Sequence, residues 1–171
     1  EARVRNAVVK RVRGRFDNFE PVPEATAWLD TFREERDRYA FLIVIGPSRT
    51  RKTEWAKSLF DRPLQLDIGN LTHFPDAMRT FDRAIHDAIV LDDVRDFNFL
   101  IQHQEKIQGK VDRVVSFGET PCGGYAYKQW LWRVPIVVTA NFTTKGRDLV
   151  NNDDFLGHPD NRVVVHRGVN V

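Results

Sequence analysis

Ala40-Phe41-Leu42-Ile43-Val44-Ile45-Gly46-Pro47-Ser48-Arg49-Thr50-Arg51-Lys52-Thr53 joins an unbroken apolar run to a short basic loop. The apolar run is too short to cross a bilayer, which takes about 20 residues. It has the texture of a strand buried on both faces, the kind found in parallel sheets. The residues after the loop, from about Thr53 to Phe60, read as a helix. A loop between a buried strand and a helix is where backbone N–H groups can be presented to a phosphate. The pattern for such a loop is Gly-x-x-x-x-Gly-Lys-Ser/Thr, and here Arg51 stands where the second glycine is expected. On this pattern Gly46, Pro47, Ser48, Arg49, Thr50, Arg51, Lys52 and Thr53 form the cradle, Lys52 reaches the outer phosphates, and the Thr53 hydroxyl is a ligand for Mg²⁺. Taken alone, the same residues also fit a merely basic strand-to-helix connection. A side chain at position 51 is expected to reshape or weaken a phosphate site, because glycine there lets the backbone come close.

The same alternation continues along the chain. Strands are expected at 64–68, 88–91 and 135–139, with helices at about 76–86 and 97–107. Apolar strands alternating with helices indicate an α/β fold built on a mostly five-stranded parallel sheet. Between Lys110 and Trp132 the alternation gives way to Val111, Val114, Val115 and Phe117, then Tyr125, Tyr127, Trp130 and Trp132, around Gly123-Gly124. That is the pattern of an inserted β-hairpin. Ahead of the sheet, Arg3, Arg5, Lys10, Arg11, Arg13 and Arg15 share a stretch with valines at helical spacing, as in a basic amphipathic helix. A second helix places Ala25, Trp28, Leu29 and Phe32 on one face, with Trp28 expected in the core. Residues 1–38 thus form an N-terminal helical segment and 39–171 the sheet-bearing domain.

Two further strand ends carry polar groups. Ile89-Val90-Leu91 runs into Asp92-Asp93, 40 residues after Lys52. One carboxylate there can hold the shell of a metal ion, and its neighbour can polarise a water. The pair also fits a helix cap. Val134-Pro135-Ile136-Val137-Val138-Thr139-Ala140 ends on Asn141. The carboxyl ends of parallel strands are where ligands gather, so Asn141 is placed to orient water or sense a terminal phosphate.

Leu42 to Leu59, with Ser48-Arg49-Thr50 inside the loop and Trp55-Ala56-Lys57-Ser58-Leu59 after it, resembles the helicase part of replication-initiator (Rep) proteins. Those proteins belong to circular single-stranded DNA viruses and related plasmids, the geminivirus group being nearest. With Leu91-Asp92-Asp93 and Thr139-Ala140-Asn141 the likeness spans roughly residues 16 to 166 and is patchy between 62 and 87. That family is similar to superfamily-three helicases. The resemblance therefore implies a P-loop NTPase with an AAA+-like sheet that binds ATP and Mg²⁺, assembles as a homo-oligomer, expected as a hexameric ring, and moves along single-stranded DNA. It implies catalytic roles for Lys52, Asp92, Asp93 and Asn141, metal contacts from Thr53 and Asp92, and a DNA contact from Lys128 in the hairpin. Arg162 matches the arginine offered to a neighbouring subunit. The resemblance also implies a separate nicking-nuclease domain ahead of this chain, and action in the nucleus where the host is eukaryotic.

Composition sets the outer limits. The chain has 171 residues, 42% hydrophobic and 29% charged, enough apolar material for one core. A net charge of +2 does not by itself call for nucleic acid. The basic residues Lys110, Arg113 and Lys128 nevertheless flank aromatic rings, a mixture suited to single strands. The lone Cys122 allows no internal disulfide and no cysteine-built zinc site, which fits a reducing compartment. The five histidines contain no His-x-His pair, so Tyr125-Ala126-Tyr127-Lys128 is not read as a nuclease motif. The chain starts at Glu1 without a signal pattern and is read as an excised domain. Two other readings remain open: a DNA-binding or assembly module whose loop has lost catalysis through Arg51, and a small-molecule kinase using the same loop.

Overall fold

The computed structural model describes residues 19–118, 126–141, 151–154 and 156–167. The expected basic helix over Arg3–Arg15, the hairpin tip at Gly123-Gly124 and Cys122 lie outside these residues.

Five parallel strands make one sheet. They are β1 (Phe41–Gly46), β2 (Pro63–Gly69), β3 (Ala88–Val94), β6 (Ile136–Asn141) and β7 (Arg162–His166), in the order β2-β3-β6-β1-β7. The helices are α1 (Pro23–Asp30), α2 (Lys52–Ser58) and α3 (Asn98–Ile107). Two short strands, β4 (Val115–Phe117) and β5 (Tyr127–Gln129), pair antiparallel as the hairpin, with Ser116 opposite Lys128.

The period of two in a strand explains how the core divides. Along β1, Phe41, Ile43 and Ile45 face one cluster, while Leu42 and Val44 face the other. The first cluster is closed by Phe99, Leu100 and Ile107 of α3, by Met78 and Phe81, and by Val115 and Phe117 of β4. The second is closed by Ala25 and Trp28 of α1 and by Trp55 and Ala56 of α2. Trp28 is buried as expected, and its indole Nε1 donates to the Ala40 carbonyl at 2.7 Å. Full burial of each such side chain contributes about 1.5–3 kcal/mol. Residues Ala25 and Trp28 of the N-terminal segment thus belong to the core of the sheet itself.

Two expectations fail. The helix over 76–86 is only a 3₁₀ turn at Asp76–Thr80. Beyond it the backbone folds into a turn, where Ile85 and His86 N–H both donate to the Asp82 carbonyl. The side chains lock that turn: His86 Nδ1 accepts from Asp82 N–H at 3.0 Å, and Asp82 Oδ1 accepts from Ala84 N–H at 2.9 Å. Local side-chain bonds of this kind compete with the helical ladder. The second miss is β7, which the strand pattern did not single out. It borders β1 on the side away from β6, pairing Phe41 with Arg162 and Ile45 with His166.

β7 also explains Gly46. A Cβ on Gly46 would lie 2.1 Å from the Arg167 carbonyl oxygen, in the chain leaving β7, and 3.2 Å from Thr50 Oγ1. Glycine is needed here because another backbone passes close, and the first contact is with main chain that cannot swing aside. Gly46→Ala is expected to lower stability by about 1–3 kcal/mol, as overpacking does. A thermal melt of the variant matching the wild type would contradict this.

Candidate functional site

The carboxyl ends of β1, β3 and β6 border a cleft of about 410 Å³. That falls within the range of about 300–1,000 Å³ usual for small-molecule sites. Ser48 to Glu54 form one wall, while Asp92, Asp93, Arg95, Thr139, Ala140 and Asn141 form the other. The chain leaves β1 for the far side of the sheet and later returns to place β6 and β7 on either side of it. Crevices at such switch points favour ligand binding.

Lys52 is 8% exposed, and its ammonium donates to the Pro47 carbonyl at 2.7 Å and to Asn141 Oδ1 at 3.1 Å. One of its three hydrogens is left over by these two bonds. Burial pulls the Lys52 pKa below its ordinary value, and the nearby Asp93 and Asp92 partly restore it. The cation is therefore held in place at a cost that an incoming anion would relieve. Arg51, just before Lys52, has an unusual conformation: its backbone is left-handed, φ 61° and ψ 33°. An L-residue pays about 1–2 kcal/mol for that geometry, which is why the pattern favours glycine. The Arg51 guanidinium sits 4.7 Å from the centre of the Phe19 ring, and that of Arg167 sits over the same ring at 5.1 Å. A cation–π contact contributes about 0.5–1 kcal/mol, which offsets part of the strain.

Across the cleft, Asp92 collects three donors. Its Oδ1 accepts the Thr53 hydroxyl at 2.5 Å and the Thr139 hydroxyl at 2.8 Å, and its Oδ2 accepts Gln65 Nε2 at 3.3 Å. Asp93 follows with φ 55°, and its Oδ2 meets Arg95 Nε at 3.0 Å. Neither carboxylate caps α3, whose N-cap is Phe97 without a side-chain cap bond; Asp96, one residue earlier, accepts from Asn98 N–H through Oδ1 at 3.0 Å. Of the non-glycine residues with positive φ among those described, Arg49, Arg51 and Asp93 line the cleft, and Arg133 stands apart. Backbone strain gathered in this way marks functional sites.

The donor set suits Mg²⁺. A hydroxyl and a carboxylate are hard oxygen ligands, and Mg²⁺ is commonly held by one or two such groups together with substrate phosphates. Among the described residues no cluster of three or more His, Cys, Asp or Glu could form an all-protein cage. Thr53 and Asp92 already share a hydrogen bond and would hold the ion jointly with a phosphate.

The structure brings the cradle residues, Lys52, Thr53, Asp92, Asp93 and Asn141 together. It places the other candidates elsewhere. Arg162 opens β7 at the amino end of the sheet, and its Nε donates to the Leu156 carbonyl at 2.9 Å. Lys128 is exposed on β5, Arg113 pairs with Glu105 at 3.4 Å, and half-buried Lys110 offers its carbonyl to Trp130 Nε1 at 3.3 Å. Their hairpin leads into the start of β6, away from the cleft. Of the aromatic residues beside them, Phe117 is core, Tyr127 is partly buried against it, and Trp130 is exposed at 36%, stacked on Trp132 at 5.6 Å. Thr139, Gln65 and Arg95 were missed as site residues. The one signal available for Thr139 was a polar residue within the otherwise apolar run from Val134 to Ala140.

Compared with known proteins, the sequence matches no family model and no curated relative. Among the described residues, no helix is long and apolar enough to cross a membrane.

Proposed function

We propose that this chain is a P-loop ATPase of the replication-initiator helicase kind, with an AAA+-like sheet, hydrolysing ATP with Mg²⁺ to drive movement along single-stranded DNA. The observation that carries the reading is the convergence of Lys52, Thr53, Asp92 and Asn141, from three strand ends, on one cleft. In this reading Lys52 exchanges its contacts with Pro47 and Asn141 for the outer phosphates. Asn141, released, orients the attacking water, and Asp93 accepts a hydrogen bond from it. Mg²⁺, when bound, neutralises charge developing on the phosphates. In this reading Arg162, which lies away from its own cleft with its Nε on the Leu156 carbonyl, turns its remaining guanidinium donors to a neighbouring subunit, as an assembled ring would require. On the same reading Lys128, exposed on β5, offers a cation to a single strand, beside the Trp130 ring that packs against Arg83 at 4.6 Å and Trp132 at 5.6 Å.

An ATPase assay with and without single-stranded DNA, on protein of measured oligomeric state, tests this. Hydrolysis stimulated by DNA is the expected result. Its absence in both conditions would overturn the reading.

The arginine side chain at position 51, where the loop pattern has glycine, favours a second reading, a DNA-binding or assembly module that has lost catalysis. Calorimetry separates the two. A wild type that binds no ATP with Mg²⁺, alongside an Arg51→Gly variant that does, would establish the second.

A further inference from the structure

We infer that Thr139 is a positioning residue for the Asp92–Asp93 pair, its hydroxyl holding the Asp92 carboxylate and the Asp93 backbone N–H in register with the sensor Asn141. The inference rests on the ATPase reading above. It starts from a break in the sheet. The ladder between β3 and β6 pairs Ile89 with Ile136, Val90 with Val137 and Leu91 with Val138, and ends there. The next residue pair would be Asp92 with Thr139. At Asp93 the backbone turns to φ 55°, so its N–H leaves the line of the ladder. A backbone donor there needs another acceptor.

Thr139 supplies it. Its Oγ1 accepts the Asp93 N–H at 2.9 Å and donates its own hydrogen to Asp92 Oδ1 at 2.8 Å. Both capacities of the hydroxyl are used in opposite senses, which fixes its rotor and the order of the two bonds. Thr139 is 1% exposed, so its hydroxyl is committed to these two partners. The side chain therefore replaces the missing rung, stabilising the turn that aims Asp93 into the cleft and setting the orientation of Asp92. Gln65 holds the other oxygen of Asp92 from the opposite side.

Position 139 also ties this bracket to the phosphate end of the site. Residues two apart on a strand share a face. Thr139 and Asn141 are so related on β6, and Asn141 Oδ1 is the group that accepts from Lys52. One strand face thus carries the contact to the loop lysine and the contact to the carboxylate pair. A valine at 139 keeps the shape and removes the hydroxyl, leaving Asp93 N–H without an acceptor and Asp92 Oδ1 with one donor fewer.

The test compares wild type, Thr139→Val and Thr139→Ser in steady-state ATP hydrolysis across a Mg²⁺ titration, with nucleotide binding measured in EDTA. Partners that orient a metal ligand are worth about 10–100-fold in activity or metal affinity. T139V is expected to lose that much in kcat and to need more Mg²⁺ for half-maximal rate, while its KM and its metal-free nucleotide affinity stay within about threefold of wild type on this scale. T139S, which keeps the hydroxyl, is expected to recover most of the rate. Should T139V fail to fold, T139A carries the same comparison. An active wild type with an equally active T139V overturns this inference alone. So does a T139S as impaired as T139V, because the methyl group would then be what matters. A wild type that hydrolyses no ATP overturns the ATPase reading and this inference with it.

Discussion

Lys52→Ala is expected to lower ATP hydrolysis by at least about 10²–10³-fold, the usual loss on removing one group that stabilises transition-state charge. The effect should be on nucleotide binding as well as turnover. The fold is expected to survive, and the physical reason lies in the wild-type site. Lys52 is buried enough to have its pKa depressed, so the native state bears a desolvation cost for this cation. Removing it forfeits two hydrogen bonds, to Pro47 and to exposed Asn141, and lifts that cost at the same time. The melting temperature is therefore expected to stay within a few degrees, about 1 kcal/mol or less in stability. Undiminished hydrolysis by the variant would show that the loop is only a basic connection between strand and helix.

Asp92→Asn is expected to do comparable damage to the rate by a different route. The change keeps the size of the side chain and removes the charge and one acceptor. Three donors now converge on Asp92, from Thr53, Thr139 and Gln65. An amide can satisfy them on one side only, and its NH₂ would face a donor on the other. That donor is Gln65 Nε2, half-buried and still bonded to Asp67 Oδ1 at 3.2 Å, so what the variant forfeits is the charge on the bonds to Asp92; bonds to a charged group contribute about 1.5–3 kcal/mol, and this variant, unlike Lys52→Ala, is expected to melt measurably lower. Hydrolysis should fall by about 10²–10³-fold, and extra Mg²⁺ should recover little of it. Nucleotide binding in EDTA should be retained, since the phosphates are held by the loop. The two variants thus separate phosphate capture from metal-assisted hydrolysis. Loss of metal-free binding in Asp92→Asn would contradict that division.

The ligand-bearing parts of the fold were legible because each coincides with a change of texture. An apolar run stops at Gly46, at Asp92 and at Asn141, and each of these residues lies at or near its strand's carboxyl end. The helix α3 and the hairpin strands also follow their patterns. What could not be read depends on neighbours distant in sequence. β7 offers only Val163-Val164-Val165 between charged or titratable residues, too short a run to announce a strand, and it is stabilised by pairing with β1. The lost helix at 76–86 turns on a bond between His86 and Asp82 that periodicity does not contain. Gln65 and Thr139 acquire meaning only because β2 and β6 flank β3, an adjacency set by strand order. The conformation of Arg51 belongs to the same class, since Phe19, the ring its guanidinium covers, lies 32 residues earlier in the chain.

The central claim is that the loop from Gly46 to Thr53 grips a triphosphate through Lys52, and its pH dependence gives the most direct test. A bound polyanion raises the pKa of a neighbouring amine, whereas free Lys52 titrates below its ordinary value. Between those two values the complex holds more protons than the free protein. Binding must then take up protons, and affinity must fall as pH rises through the lower value. Calorimetric titration of ATP with Mg²⁺ into the wild type, in two buffers of different ionisation enthalpy and above the phosphate ionisation near pH ~6, measures this uptake. Saturable binding with proton uptake on the alkaline limb, both absent in Lys52→Ala, is the predicted result. No heat of binding in the wild type, or binding and proton uptake that persist in Lys52→Ala, would contradict it.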